Sequence, residues 1–307
     1  ALNDNADRTS GNGYGGAIDS DGAELTVNGG TFSRNVAWRG GALSIYNCGS
    51  EATIRKVTFT DNGNANTREG GSIYTEYSTK LIGCEMSGST AKFGAGVYAK
   101  SDVTITVYGG TFDNNSSFGN GGAISAGQDA VLDIKDYNGA PTYFLNNSAT
   151  SYGGALDIQT SNSNKTKENR INSAIFKGNY ANFGGAANVY GNLKKSTTKV
   201  YFNSCTFGGG EEGDANYATH TENEASGGAM FLEDDTYVNV GLSTFEGNHC
   251  DNKGGAICVK GYGMLQLYRD SFIGNYGYTG GAFYTEVLNG KYPDCYVDEC
   301  SFDGNYI

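Results

Sequence analysis

Gly-Gly-Ala-aliphatic recurs ten times in this 307-residue chain, and no other feature restricts the fold as tightly. The copies begin at Gly15, Gly40, Gly70, Gly94, Gly121, Gly153, Gly184, Gly227, Gly254 and Gly280. Two are worn, reading Gly70-Gly71-Ser72-Ile73 and Gly94-Ala95-Gly96-Val97. A second element, Phe-x-x-Asn, alternates with the first at Phe32, Phe59, Phe112, Phe144, Phe176, Phe245, Phe272 and Phe302. Degenerate forms sit at Leu2 (ending in Asn5), Met86 (ending in Ser89) and Phe207 (ending in Gly210). From Leu2 to Phe302 the ten intervals give a mean period of about 30.

Inside each period the pattern is that of strands. Apolar residues recur five and seven positions before the Phe, as at Leu25 and Val27 or Ile105 and Val107. These odd offsets require a bend before the Phe, which Gly29-Gly30 and Gly109-Gly110 supply. After Gly-Gly-Ala, Leu43 is followed two residues on by Ile45, and Ile257 by Val259, the alternation of a half-buried strand. Three short strands per turn cannot bury their apolar faces alone. Stacked turns can, each strand pairing in parallel with its counterpart one turn on.

The repeat therefore predicts an all-β parallel β-solenoid of about ten coils with a period of about 30, one domain over residues 1–307. Loop insertions are expected near 161–169 and 208–226, where the period lengthens. Phe32, Phe245 and Phe272 should fill the interior of the stack. Asn35, Asn248 and Asn275 should bond along it from a bend, where Asn tolerates left-handed backbone. Gly40-Gly41, Gly254-Gly255 and Gly280-Gly281 permit positive φ and close approach of neighbouring backbones. The repeat also explains how 48 glycines coexist with a core, since 38% of residues are hydrophobic. Without a period, so much glycine would point to disorder.

A net charge of −12, spread along the chain, argues against nucleic acid and anionic membranes as partners. No apolar run approaches the roughly 18 residues that span a bilayer, so this segment is not expected to insert in a membrane.

The paired elements resemble the repeats of the chlamydial polymorphic outer-membrane proteins and of adhesin-like β-helix proteins from other microbes. The resemblance covers essentially the whole chain. It implies a right-handed parallel β-helix, extracellular or at the cell surface, acting as an adhesive or structural rod. No β-barrel translocator is visible in the sequence.

An enzyme would need clustered carboxylates, or basic residues beside acidic metal ligands. The only histidines are His220 and His249, and the only Asp-Asp pair, Asp234-Asp235, has no acidic counterpart at its phase in an adjacent coil. Neither catalysis nor a cofactor is expected. The insertion carries Glu211, Glu212, Asp214, Glu222 and Glu224, in a spacing that matches no calcium loop, so no metal site is assigned. Positions expected to point outward hold Tyr74, Tyr98, Phe231 and Tyr284; Tyr74 and Tyr98, in consecutive coils, form a candidate ligand face. A stabilising cross-coil pair is the plainer reading of those two tyrosines.

The seven cysteines show no CxxC spacing. Cys84, Cys205 and Cys300 fall at an inward phase, and Cys250 stands where Ala37 and Ala181 do. Asn-x-Ser/Thr glycosylation candidates are Asn114, Asn115, Asn146 and Asn164. Both ends of the chain show the same phase of the repeat, without an evident cap. This fits either an excerpt of a longer rod or end-to-end self-association. The expected function is a non-enzymatic extracellular rod, as a head-to-tail filament subunit or a stalk. The alternative is an adhesin for host or matrix glycans or proteins.

Overall fold

A computed structural model describes residues 13–161, 167–192, 198–220 and 224–307. Among these residues there is no helix, and every pairing between strands is parallel. Ten strands, from Ile18–Asp21 to Phe283–Glu286, each follow a Gly-Gly-Ala element and form one sheet. The strands before and at the Phe form a second face. Seven short strands, from Thr90–Ala91 to Tyr276–Thr279, form the third. The chain is a parallel β-helix of about ten coils.

Steps between in-register partners are uneven. Asn35 to Asn62 and Asn248 to Asn275 are each a step of 27 residues. Val97 with Ile124, Met230 with Ile257 and Phe32 with Phe59 repeat that spacing. Asn179 to Asn216 takes 37 residues. The passage from Ala187 to Met230 is longer still, and that from Ile73 to Val97 is shorter than the common step. A period of about 27 is thus the usual one, and a few long coils raise the mean to about 30.

The core is a set of side-chain columns. Phe112, Phe144, Phe176, Phe207, Phe245, Phe272 and Phe302 stack ring on ring, with centroids 4.6–5.0 Å apart. Beside this column runs a ladder of asparagines. Asn147 Nδ2 donates to Phe112 O at 2.9 Å and to Asn179 Oδ1 at 3.0 Å. Its own Oδ1 accepts Asn115 N and Asn115 Nδ2 at 3.1 and 2.9 Å. Equivalent bonds recur at Asn35, Asn248 and Asn275, so each amide satisfies backbone that coil geometry would otherwise bury unpaired.

The worn coil is repaired by a second change. Ser89 replaces the ladder Asn, and Ser72 replaces the Ala of the preceding Gly-Gly-Ala. Their hydroxyl oxygens lie 2.7 Å apart, and Asn62 Nδ2 reaches Ser72 Oγ at 3.5 Å.

Three expectations change. The left-handed backbone falls on the residue before the Asn, as at Arg34, Asp61, Asn114 and Gly274, because that residue makes the turn while the Asn side chain points inward. The insertion at 208–226 is not one projecting loop. The chain rejoins the ladder at Asn216, whose Nδ2 bonds Phe176 O and Asn248 Oδ1, both at 2.9 Å. Tyr217–Ala218 then enters the third sheet. Asn216, rather than Gly210, therefore completes the element begun at Phe207. Leu2 and the central part of the 161–169 insertion lie outside the described residues.

The glycine pair has the expected geometry. Gly40 has φ +62°, and a Cβ on Gly41 would stand 2.1 Å from Gly71 O of the next coil. Gly254 and Gly280 are both at φ +71°, and a Cβ on Gly255 would lie 2.1 Å from Gly281 O.

Candidate functional site: an outward cleft

The middle residue of each strand in the ten-stranded sheet points away from the core. In coil order these residues are Asp19, Ser44, Tyr74, Tyr98, Ser125, Asp157, Asn188, Phe231, Cys258 and Tyr284. Two aromatics are followed by three small polar residues and then by another aromatic. In-register stacking turns this change of size into a depression on the surface. The cleft has a volume of about 340 Å³.

Asp157 and Asn188 make the floor, both buried. One wall comes from residues just before Gly-Gly-Ala, Asn120 and Tyr152; the other comes from strand ends, Gln159, Tyr190, Glu233 and Asp234. Tyr152 is held by stacking on Phe183 at 5.0 Å and faces Phe231 at 6.4 Å.

Four neutral donors surround the Asp157 carboxylate. Asn188 Nδ2 reaches Oδ1 at 2.8 Å; Gln159 Nε2, Asn120 Nδ2 and Ser125 Oγ reach Oδ2 at 3.1, 3.3 and 3.4 Å. No ion pair reaches Asp157 among the described residues. Burial pushes its carboxyl above the ordinary range, and the four hydrogen bonds only partly offset that. Glu233 and Asp234 differ, being paired with Lys260 Nζ at 3.2 Å and Lys291 Nζ at 3.3 Å. Burial raises Tyr190, and the Asp234 and Glu233 charges push it the same way. Asn188 Oδ1 is buried and has no hydrogen-bond partner.

Tyr74 and Tyr98 do stack, at 5.9 Å and 7°. The ligand face expected there needs correction, because Tyr74 is only 1% exposed. Arg39 lies over its ring at 5.2 Å and is fixed by Glu69, while the Tyr74 hydroxyl donates to Glu76 at 2.5 Å. That pair closes the surface. Phe231 is buried as well.

A second aromatic column, half-buried at its middle and exposed at Tyr180 and Tyr306, lies on another face. Tyr180, Tyr217, His249, Tyr276 and Tyr306 follow one another with centroids 4.6–5.9 Å apart. Each directly follows a ladder Asn, a signal legible at four coils and hidden at Tyr217 by the insertion. His249 Nε2 lies 3.1 Å from Asp251 Oδ1.

Among the glycosylation candidates, Asn114 and Asn146 are exposed. Asn115 is fully buried in the ladder, which corrects its candidacy, and Asn164 lies outside the described residues. In the insertion, Asp214 pairs with Lys177 at 2.7 Å, and Glu222 lies outside the described residues. Cys84 and Cys205 are buried, and each Sγ donates to a carbonyl of the preceding coil, Ile54 O at 3.3 Å and Ile171 O at 3.4 Å.

Fold and surface together define a parallel β-helix built of Gly-Gly-Ala and Phe-x-x-Asn coils, carrying a polar cleft between aromatic neighbours. The Chlamydia polymorphic membrane protein repeat matches residues 141–159 and 243–260, each a Phe-x-x-Asn element with the Gly-Gly-Ala that follows it. The probable outer membrane protein PmpG of Chlamydia muridarum is 26% identical over 208 residues, which is 64% of this chain and 18% of that protein. No solved structure matches. The chain is thus similar to chlamydial polymorphic membrane proteins in its repeat, and it spans less than a fifth of that relative's length.

Proposed function

We propose that this chain is a non-enzymatic stalk segment of a surface protein, a stiff rod that holds an adhesin-like surface away from its anchor. The observation that carries this reading is the asparagine ladder, which runs in register from Asn35 to Asn305 with one serine-repaired coil. Ten coils at about 4.8 Å per strand pairing make a rod on the order of 45 Å long. The relative's much greater length supports a segment of a larger protein over a self-assembling subunit. Electron microscopy of the native protein, with light scattering against concentration, tests this. Discrete rods of constant mass support a stalk, whereas filaments that grow with concentration would replace it with the head-to-tail reading.

The cleft favours a second role, ligand binding as an adhesin. It is lined by polar groups that structural packing leaves incompletely answered, as at Asn188. Its carboxylates are held by lysines or neutral amides, and no histidine lines the cleft among the described residues, which favours binding over catalysis.

A further inference from the structure

The floor of the cleft carries two separate deficits. Asp157 is a buried carboxylate with hydrogen-bond donors but no counter-charge, and such a group is costly unless a positive partner joins it. Asn188 Oδ1 is a buried acceptor with no donor. The Asn188 amide links the two, because its Nδ2 is committed to Asp157 Oδ1 at 2.8 Å and its Oδ1 is thereby turned away from the carboxylate.

A hydroxyl group would answer the acceptor but leave the charge. A hard divalent cation would want several carboxylates, and Glu233 and Asp234 are already committed to Lys260 and Lys291. A primary ammonium brings both a positive charge and three donors. The flanking Tyr152 and Tyr190 rings suit the alkyl stem and the cation. We propose that this cleft binds a primary alkylammonium group, which pairs with Asp157 Oδ2 and donates to Asn188 Oδ1. Gln159, half-buried at the rim and bonded to Asp157 Oδ2, is the side chain that swings aside to admit it. This rests on the reading of the cleft as a binding site and names the class of ligand.

The test is a titration of this chain by ligand-observed and ¹H-¹⁵N NMR with four probes. These are n-butylamine, Nα-acetyl-lysine methylamide, n-butanol and calcium. Both amines should bind and shift the Asn188 side-chain amide, while n-butanol should not. Binding of butylamine alone would mean a free amine, and binding of both would mean that a peptidyl lysine is also accepted; either supports the proposal. Asp157→Asn should weaken amine binding on the order of tenfold or more, as expected for losing a charge-assisted hydrogen bond. Asn188→Ala should also weaken it, with circular dichroism checking that each variant folds. Gln159→Ala should bind as tightly or more tightly, an outcome a merely structural Gln159 would not give. Binding of n-butanol or calcium without the amines would overturn the ligand class yet keep the cleft as a site. Silence from all four probes would overturn both.

Discussion

Replacing Asn147 with Ala tests the ladder at its centre. The side chain is fully buried and makes four hydrogen bonds. Truncation strands two groups, the Asn115 backbone N–H and one Asn115 Nδ2 hydrogen, while Phe112 O keeps the ladder bond from Leu145 N–H that the Asp113–Leu145 register requires. Asn179 Oδ1 keeps a donor, because the Asn147 backbone N–H already bonds it at 3.0 Å. At about 1–3 kcal/mol for each buried unsatisfied group, with some relaxation, the loss should be roughly 2–5 kcal/mol. In a linear stack that loss is felt mainly by adjacent coils. Urea unfolding followed by circular dichroism gives the size, and hydrogen exchange by mass spectrometry gives the place. Protection should fall around residues 112–118 and 144–150 and persist near Phe272 and Phe302. The double change Asn147→Ser with Ala123→Ser should recover part of the loss, because it rebuilds the natural Ser89–Ser72 arrangement. A loss below about 1 kcal/mol, or exchange that rises evenly along the chain, would refute the ladder as a local source of stability.

Other perturbations probe other parts of the coil. Gly154→Ala should block folding of its coil, since the new Cβ would stand 2.0 Å from Gly185 O, whereas Gly49→Ala, with open space around it, should be silent in a thermal melt. Tyr74→Ala should lower stability by about 3 kcal/mol, the cost of emptying a buried aromatic site, which chemical denaturation would read. Burial raises Asp270 to about 6, more than its bonds from Ser243 and Tyr268 N–H lower it. The folded chain therefore holds a proton that the unfolded chain has lost between pH near 4 and about 6, and the stability this group contributes should fall as pH rises through that window. Asp270→Ser, which copies Ser243 one coil earlier, should flatten that part of a melting-temperature profile.

Much of the coil was legible because its residues answer to local geometry. Gly40 and Gly41 announce a left-handed corner and a close approach, and Phe32 to Phe302 mark one column. What stayed hidden depended on relations between coils. Asn216 could not be matched to Phe207 from sequence, since a spacing rule fails where the chain leaves the stack and returns. Tyr74 was read as outward, correctly, but its burial comes from Arg39 of the preceding coil, which the tyrosine's own sequence neighbours do not reveal. The cleft was missed for the same reason. Asp157 and Asn188 are 31 residues apart and ordinary in isolation, and only the register with Tyr98 and Phe231 makes them the floor of a cavity.

The uneven coils bear on reach. Passing from Ile73 to Val97 uses far fewer residues than passing from Ala187 to Met230, yet each passage advances the rod by one strand spacing. Distance along the stack is thus counted in turns. Added residues thicken the rod locally and add surface without lengthening it. Such a protein can acquire loops at the corners of its coils while every feature beyond them keeps its place along the axis.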